Sequence, residues 1–112
     1  MRRGKLWVAR AGLYASKARP VLIIQSDEVT KYDSIITCLV TSFEQTDDKL
    51  RLKIEPTKNN GLEETSFLMF DKIFSFDKAD LSKKIGELSK EDMSMVDQSL
   101  IHILGLGSFL QS

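Results

Sequence analysis

The segment "KLRLKIEP", residues 49–56, sets Leu50, Leu52 and Ile54 in strict alternation with Arg51, Lys53 and Glu55. A period of two is the mark of an extended strand, because successive side chains point to opposite faces. The pattern predicts a strand with one core face and one charged, wet face. Shorter runs repeat the theme along the chain. "KLWVAR" (5–10) alternates weakly, and "VLIIQS" (21–26) is an unbroken apolar run suited to burial on both faces, with Pro20 before it at a tolerated first position. "SIITCLVTS" (34–42) is rich in β-branched residues, "SFLMFDKIFSF" (66–76) supplies one or two strands, and "KKIGEL" (83–88) a short one.

The connections are those of a meandering sheet. "AGLYASKA" (11–18) reads as a loop, "DEVTKYD" (27–33) as a short helical turn or a loop, and "TKNNG" (57–61) as a tight turn in which Asn60 and Gly61 supply positive φ angles. Several short strands at this spacing predict a small antiparallel barrel, mainly β, with Trp7 and Phe70 in its core. Only the end of the chain has helical period. Ser89 is a candidate N-cap with Asp92 three residues on, and Met93, Val96, Leu100, Ile103 and Leu104 share one side of a helix that ends near Gly105 or Gly107. His102, the one histidine, falls on the opposite side.

With 112 residues the chain makes one domain, 1–112, with one modest core. Charge is balanced overall but not locally. Arg2, Arg3, Lys5, Arg10, Lys17 and Arg19 precede the first acid, Asp27, so the first 26 residues carry +6 and the remainder −6. These six charges either form one basic surface facing a phosphate backbone or point in different directions around the fold. Cys38 is the only cysteine, which excludes an internal disulfide and suits a reducing compartment; within "IITCLVT" it reads as a small buried residue rather than a nucleophile. One Cys and one His do not make a zinc site at the usual spacings, and no cofactor motif is present. No apolar run approaches the roughly 18 residues of a membrane span, so a soluble cytoplasmic protein is expected.

The segment "SKARPVLIIQSD" (16–27) carries the chemistry. Arg19 precedes a proline, which pushes its backbone toward extended geometry, and Pro20 removes a flexible φ beside it. A guanidinium so held at the edge of a buried strand suits a phosphate and the negative charge that develops on it.

With "RRGKLWVA", "ARPVLIIQSD", "CLVTS", "NGLEETSFLMFDKI" and "IGELS" occurring in this order and spacing, the chain resembles the MazF/PemK family of toxins. The resemblance implies an SH3-like barrel with a C-terminal helix, paired as a homodimer that frames an RNA groove. It implies a metal-independent, sequence-specific endoribonuclease that cuts single-stranded RNA by attack of the neighbouring 2′-hydroxyl, leaving a 2′,3′-cyclic phosphate and a 5′-hydroxyl. It also implies a cognate antitoxin protein as partner. Two site residues carry over by motif: Arg19 of R-P-V and Thr41 of the strand-ending T-S. Asp71 in "FDKI" is a third candidate, as a catalytic carboxylate or as a structural one paired with Lys72 or Arg19. In some members of the family an Arg two residues earlier joins it; here that position is Met69, which weakens the catalytic reading. Arg10, Lys17 and Ser42 are candidate RNA contacts, and Tyr14 either stacks on a base or anchors its loop. Two alternatives stand beside the ribonuclease: a CcdB-like gyrase poison of the same fold, disfavoured by the ending "GSFLQS" without a Trp, and a non-catalytic SH3-like module.

Overall fold

Each apolar run becomes one strand of an antiparallel sheet in the computed structural model, which describes residues 1–10, 18–43 and 51–107. The strands are β1 (Lys5–Ala9), β2 (Arg19–Ile23), β3 (Ser34–Thr41), β4 (Arg51–Ile54), β5 (Ser66–Asp77) and β6 (Leu81–Glu87), followed by helix α1 (Lys90–Ile103). Their order across the sheet is β4-β5-β3-β2-β1-β6. "SFLMFDKIFSF" thus forms one strand, and β2 starts two residues earlier than its apolar run, with Pro20 opposite Val8 at the second position. Beyond Ile23 the regular pairing gives way to a forked contact, with Ile24 N and Gln25 N both donating to Ile36 O at 3.1 and 3.3 Å, and the Gln25 side chain adds to it by accepting from Ile36 N at 3.1 Å and donating to Val29 O at 2.8 Å.

Alternation sorts the side chains into two clusters, one on each face. Leu22, Cys38, Val40 and Leu68 belong to the first, which is covered by Val96 and Leu100 of α1. Val21, Ile23, Leu39 and Met69 belong to the second, with Phe76 and Leu81 completing it. Burial of β2 on both faces is therefore as the sequence predicts, with Phe70 in the first cluster and Trp7 packed against the second.

The bend that allows two cores lies in β5. Cys38 faces Ile73 while its neighbour Leu39 faces Met69, so one step along β3 spans four along β5, and Phe70, Asp71 and Lys72 form a bulge. The bend explains a departure from the expected wet face of β4. Lys53 is exposed, but the Arg51 side chain, opposite Met69, is only 9% exposed. Lys49 and Leu50 lie outside the described residues.

Closure of the barrel rests on the turn after β4, the short edge strand. Asn59 O accepts from Glu87 N at 2.9 Å, so the turn caps the other edge, β6. The approach is close enough to require glycine on both sides: a Cβ on Gly61 would sit 2.0 Å from Ile85 O, and one on Gly86 2.3 Å from Asn60 O. Gly61 also has φ of 68°, as the sequence predicts. Asn60 acts through its side chain, which is buried and bonded to Thr57 N, Leu62 N and Glu55 O.

Helix α1 begins where the sequence places it, with Ser89 accepting from Asp92 N at 3.0 Å. Fourteen residues are marginal as an isolated helix, so packing of Val96 and Leu100, at roughly 1.5–3 kcal/mol each, is what holds it. It ends in a Schellman arrangement, with Leu106 N donating to Ile101 O, Gly105 N to His102 O, and Gly105 at φ of 72°. Leu104 differs from expectation: as the C-cap it swings off the apolar face and is 55% exposed. His102 is exposed, as expected.

Candidate active site

The R-P-V and T-S motifs meet at one end of the sheet. Val21 faces Leu39 across the β2–β3 ladder, and continuing that antiparallel register by two residues sets Arg19 opposite Thr41. Both side chains are half-buried, and both line a groove of 640 Å³. Pro20 lines it too, so the fixed φ that starts β2 lies inside the site. Thr41 Oγ1 accepts a hydrogen bond from Phe43 N at 3.1 Å. That bond orients the hydroxyl oxygen and leaves its proton available to a second acceptor. Ser42 also lines the groove and is exposed.

Leu62, Glu63 and Glu64 on the segment after the closing turn contribute further lining, together with Val8 and Ile85. This segment is held at both ends: Leu62 N donates to Asn60 Oδ1 at 3.0 Å, and Ser66 Oγ donates to Glu64 O at 2.9 Å. The result is a groove of mixed apolar and polar lining, with Arg19 and Thr41 from β2 and β3 and two glutamates from the 62–66 segment.

Other candidates are placed elsewhere. Asp71 stands in the β5 bulge and is absent from the groove lining; the ion pair it makes among the described residues is with Arg51, at 3.8 Å, rather than with Lys72 or Arg19. Arg10, just beyond β1, is exposed and outside the lining, with its backbone N–H donating to Asp80 O at 2.9 Å. Tyr14 and Lys17 lie outside the described residues. Among the described residues no three His, Cys, Asp or Glu side chains gather as a metal site, and no helix is long and apolar enough to cross a membrane.

Among the described residues, three of the N-terminal cations are engaged in ion pairs. Arg2 pairs with Asp27 at 3.2 Å, Arg3 with Asp97 at 2.6 Å, and Lys5 with Glu87. Of the five cations among the described residues, Arg19 lines the groove, and Arg3 instead ties the chain start to α1 through Asp97 and Ile24 O. Cys38 is buried, and desolvation pushes its thiol up to about 12, so it is an inert core residue.

Phe43, Glu63 and Glu64 are groove residues that the motif reading passed over. Their signals were present: an aromatic directly after the T-S that ends β3, and two acids inside the already distinctive "NGLEETSF".

Residues 2–104 match the family model of the PemK-like, MazF-like toxins of type II toxin–antitoxin systems. The chain belongs to this family. A probable endoribonuclease MazF of Mycolicibacterium smegmatis is 39% identical over 110 residues, covering 95% of this chain and 98% of the relative. The endoribonuclease MazF of Staphylococcus epidermidis is 30% identical over 115 residues, covering 97% and 95%. Among solved structures, an endoribonuclease in complex with its cognate antitoxin from a mycobacterial species aligns with a TM-score of 0.80 over 95% of this chain and 96% of that one, at 20% identity. The six-stranded antiparallel sheet with its C-terminal helix is therefore the architecture of MazF-like toxins, and the resemblance carried by the R-P-V and T-S motifs is borne out.

Proposed function

We propose that this MazF-like toxin is an endoribonuclease that cuts single-stranded RNA at the Arg19–Thr41 end of the sheet. The observation that carries the reading is that the two motif residues, Arg19 and Thr41, line one and the same groove of 640 Å³. The 2′-oxygen of the nucleotide 5′ to the cut attacks phosphorus, forming the 2′-O–P bond as the P–O5′ bond breaks. The 2′-hydroxyl proton leaves and the departing 5′-oxygen takes one up, giving a 2′,3′-cyclic phosphate and a 5′-hydroxyl. The substrate itself supplies the nucleophile.

Arg19 binds the scissile phosphate and stabilises the charge that grows on its non-bridging oxygens, where a planar fork of donors is worth most. An arginine, with a solution pKa above about 12, is a poor base, so its work is electrostatic. The Thr41 hydroxyl, oriented by Phe43 N–H, donates its proton to the same phosphate. Asp71, outside the groove and paired with Arg51, serves the fold by holding the bulge. Ser42 is a candidate for contact with the RNA backbone at the groove edge.

The protein acts in the cytoplasm as a homodimer, opposed by a cognate antitoxin; family membership and an antitoxin-bound neighbour of the same fold support this. Three of the six N-terminal cations are already engaged in ion pairs, so the positive field that an acidic antitoxin segment meets is narrower than the sequence suggests.

Thr41→Val and Thr41→Ser test the site. Valine keeps shape and removes the donor; loss of one hydrogen bond to a charged group costs about 1.5–3 kcal/mol, or roughly 10- to 150-fold in the cleavage rate. Serine restores most of it. Equal rates for the Val variant and the wild type would remove Thr41 from the site.

A further inference from the structure

The geometry points to a nucleobase subsite beside the scissile phosphate, in which one base stacks on Phe43 and presents an amino-bearing edge to Glu63 and Glu64. The inference rests on the ribonuclease reading for the phosphate position and adds which bases the groove accepts. Phe43 is the most exposed large apolar side chain among the described residues, at 69%, yet it lines the groove rather than standing alone. An aromatic face open to water in a groove of mixed polar and apolar lining is a ready platform for a base. Its backbone N–H donates to Thr41 Oγ1, so the Phe43 main chain is anchored beside the hydroxyl proposed to meet the phosphate.

The two carboxylates set the chemistry of the base. Glu63 and Glu64 line the same groove, are exposed, and neither side chain enters a hydrogen bond or ion pair among the described residues. Negative charge in an RNA groove repels phosphate, which directs the backbone toward Arg19 and turns the base toward the acids. An ionised carboxylate only accepts hydrogen bonds. Cytosine, adenine and guanine offer it an exocyclic amino group. Uracil offers one N–H flanked by two carbonyl oxygens, which the carboxylate repels. The anchoring of this segment at Asn60 and Ser66 holds the acceptors in place before RNA arrives.

The test separates base preference from cleavage. Decamers of deoxycytidine, deoxyadenosine and deoxyuridine lack the 2′-hydroxyl and cannot be cut by this route, so their binding is measured by fluorescence anisotropy. The wild type binds the dC and dA decamers more tightly than the dU decamer. Glu63→Gln and Glu64→Gln, singly and together, erase that difference, because an amide also donates to uracil carbonyls. Phe43→Ala weakens all three decamers about ten-fold or more, as loss of a stacking platform does, without changing the oligomeric state.

Binding that is indifferent to base in the wild type, or a preference unchanged in the Gln variants, overturns the proposal. So does a Phe43→Ala variant that dissociates or aggregates, since the ring would then belong to a protein interface. A uniform loss of cleavage on every RNA in the Gln variants, with base preference intact, would make a glutamate a proton acceptor instead. If the decamers show the Glu-dependent preference but RNA is not cut, the subsite stands and the ribonuclease reading falls.

Discussion

Replacing Asn60 by alanine tests whether the closing turn holds the groove wall together. The buried Asn60 side chain accepts from Thr57 N and Leu62 N at 3.0 Å and donates to Glu55 O at 2.9 Å. Alanine leaves two N–H groups and one carbonyl without these partners in a crowded site. At about 1 kcal/mol net for each bond the loss is about 3 kcal/mol, and more where water does not replace the side chain. For a domain of this size that corresponds to a fall in Tm of about 12 °C or more. Urea unfolding measures it directly as a lower midpoint with an unchanged slope.

Asn60→Asp refines the prediction. The carboxylate keeps an acceptor for the two N–H groups but sets a second oxygen against Glu55 O, which raises its folded-state pKa above the unfolded value. The folded state then binds the extra proton, so the variant's deficit relative to the wild type is smallest at acid pH and grows as pH rises from the ordinary aspartate range through the raised pKa. An Asn60→Ala midpoint within experimental error of the wild type, or an Asp variant whose deficit against the wild type shrinks as pH rises, would refute the reasoning.

Three further changes probe other parts of the structure. Ser89→Ala removes the cap on Asp92 N and costs about 1 kcal/mol, read as a lower urea midpoint. The hydrogen bond and charge of Lys5 hold the Glu87 carboxyl below its usual value, so the pair's contribution is complete above the normal glutamate range and fades as pH falls through the lowered pKa; Lys5→Met returns Glu87 to the ordinary range in an NMR titration. Cys38, with its pKa pushed to about 12, stays unreactive to a thiol reagent at pH 8 in the folded protein and reacts fully in denaturant.

Much of this fold is legible in local pattern. The strands follow from their apolar runs, the helix start from Ser89 and Asp92, and its end from Gly105, because each depends on residues close in sequence. What depends on distant contacts is not legible. Alternation in "KLRLKI" says that Arg51 and Leu52 face opposite ways, but not that the β5 bend makes a second core on Arg51's side. The bulge at Phe70–Lys72 has no glycine or proline to announce it, and it carries Asp71 away from the groove. The +6 segment could not reveal that Asp27, Glu87 and Asp97 would come to meet it. At the candidate site, motif order singles out Arg19 and Thr41, and the fold brings both to one groove. The partners added by barrel closure, Glu63 and Glu64, belong to the wall that the folded turn supplies.

The most direct test of the central claim is cleavage of a long single-stranded RNA in excess EDTA by the wild type and Arg19→Ala, with analysis of the product ends. The account predicts discrete fragments ending in 2′,3′-cyclic phosphate and 5′-hydroxyl groups, and a rate about 10² to 10³ lower in the variant. Cleavage by Arg19→Ala at the wild-type rate, or products with 5′-phosphate ends, would contradict it.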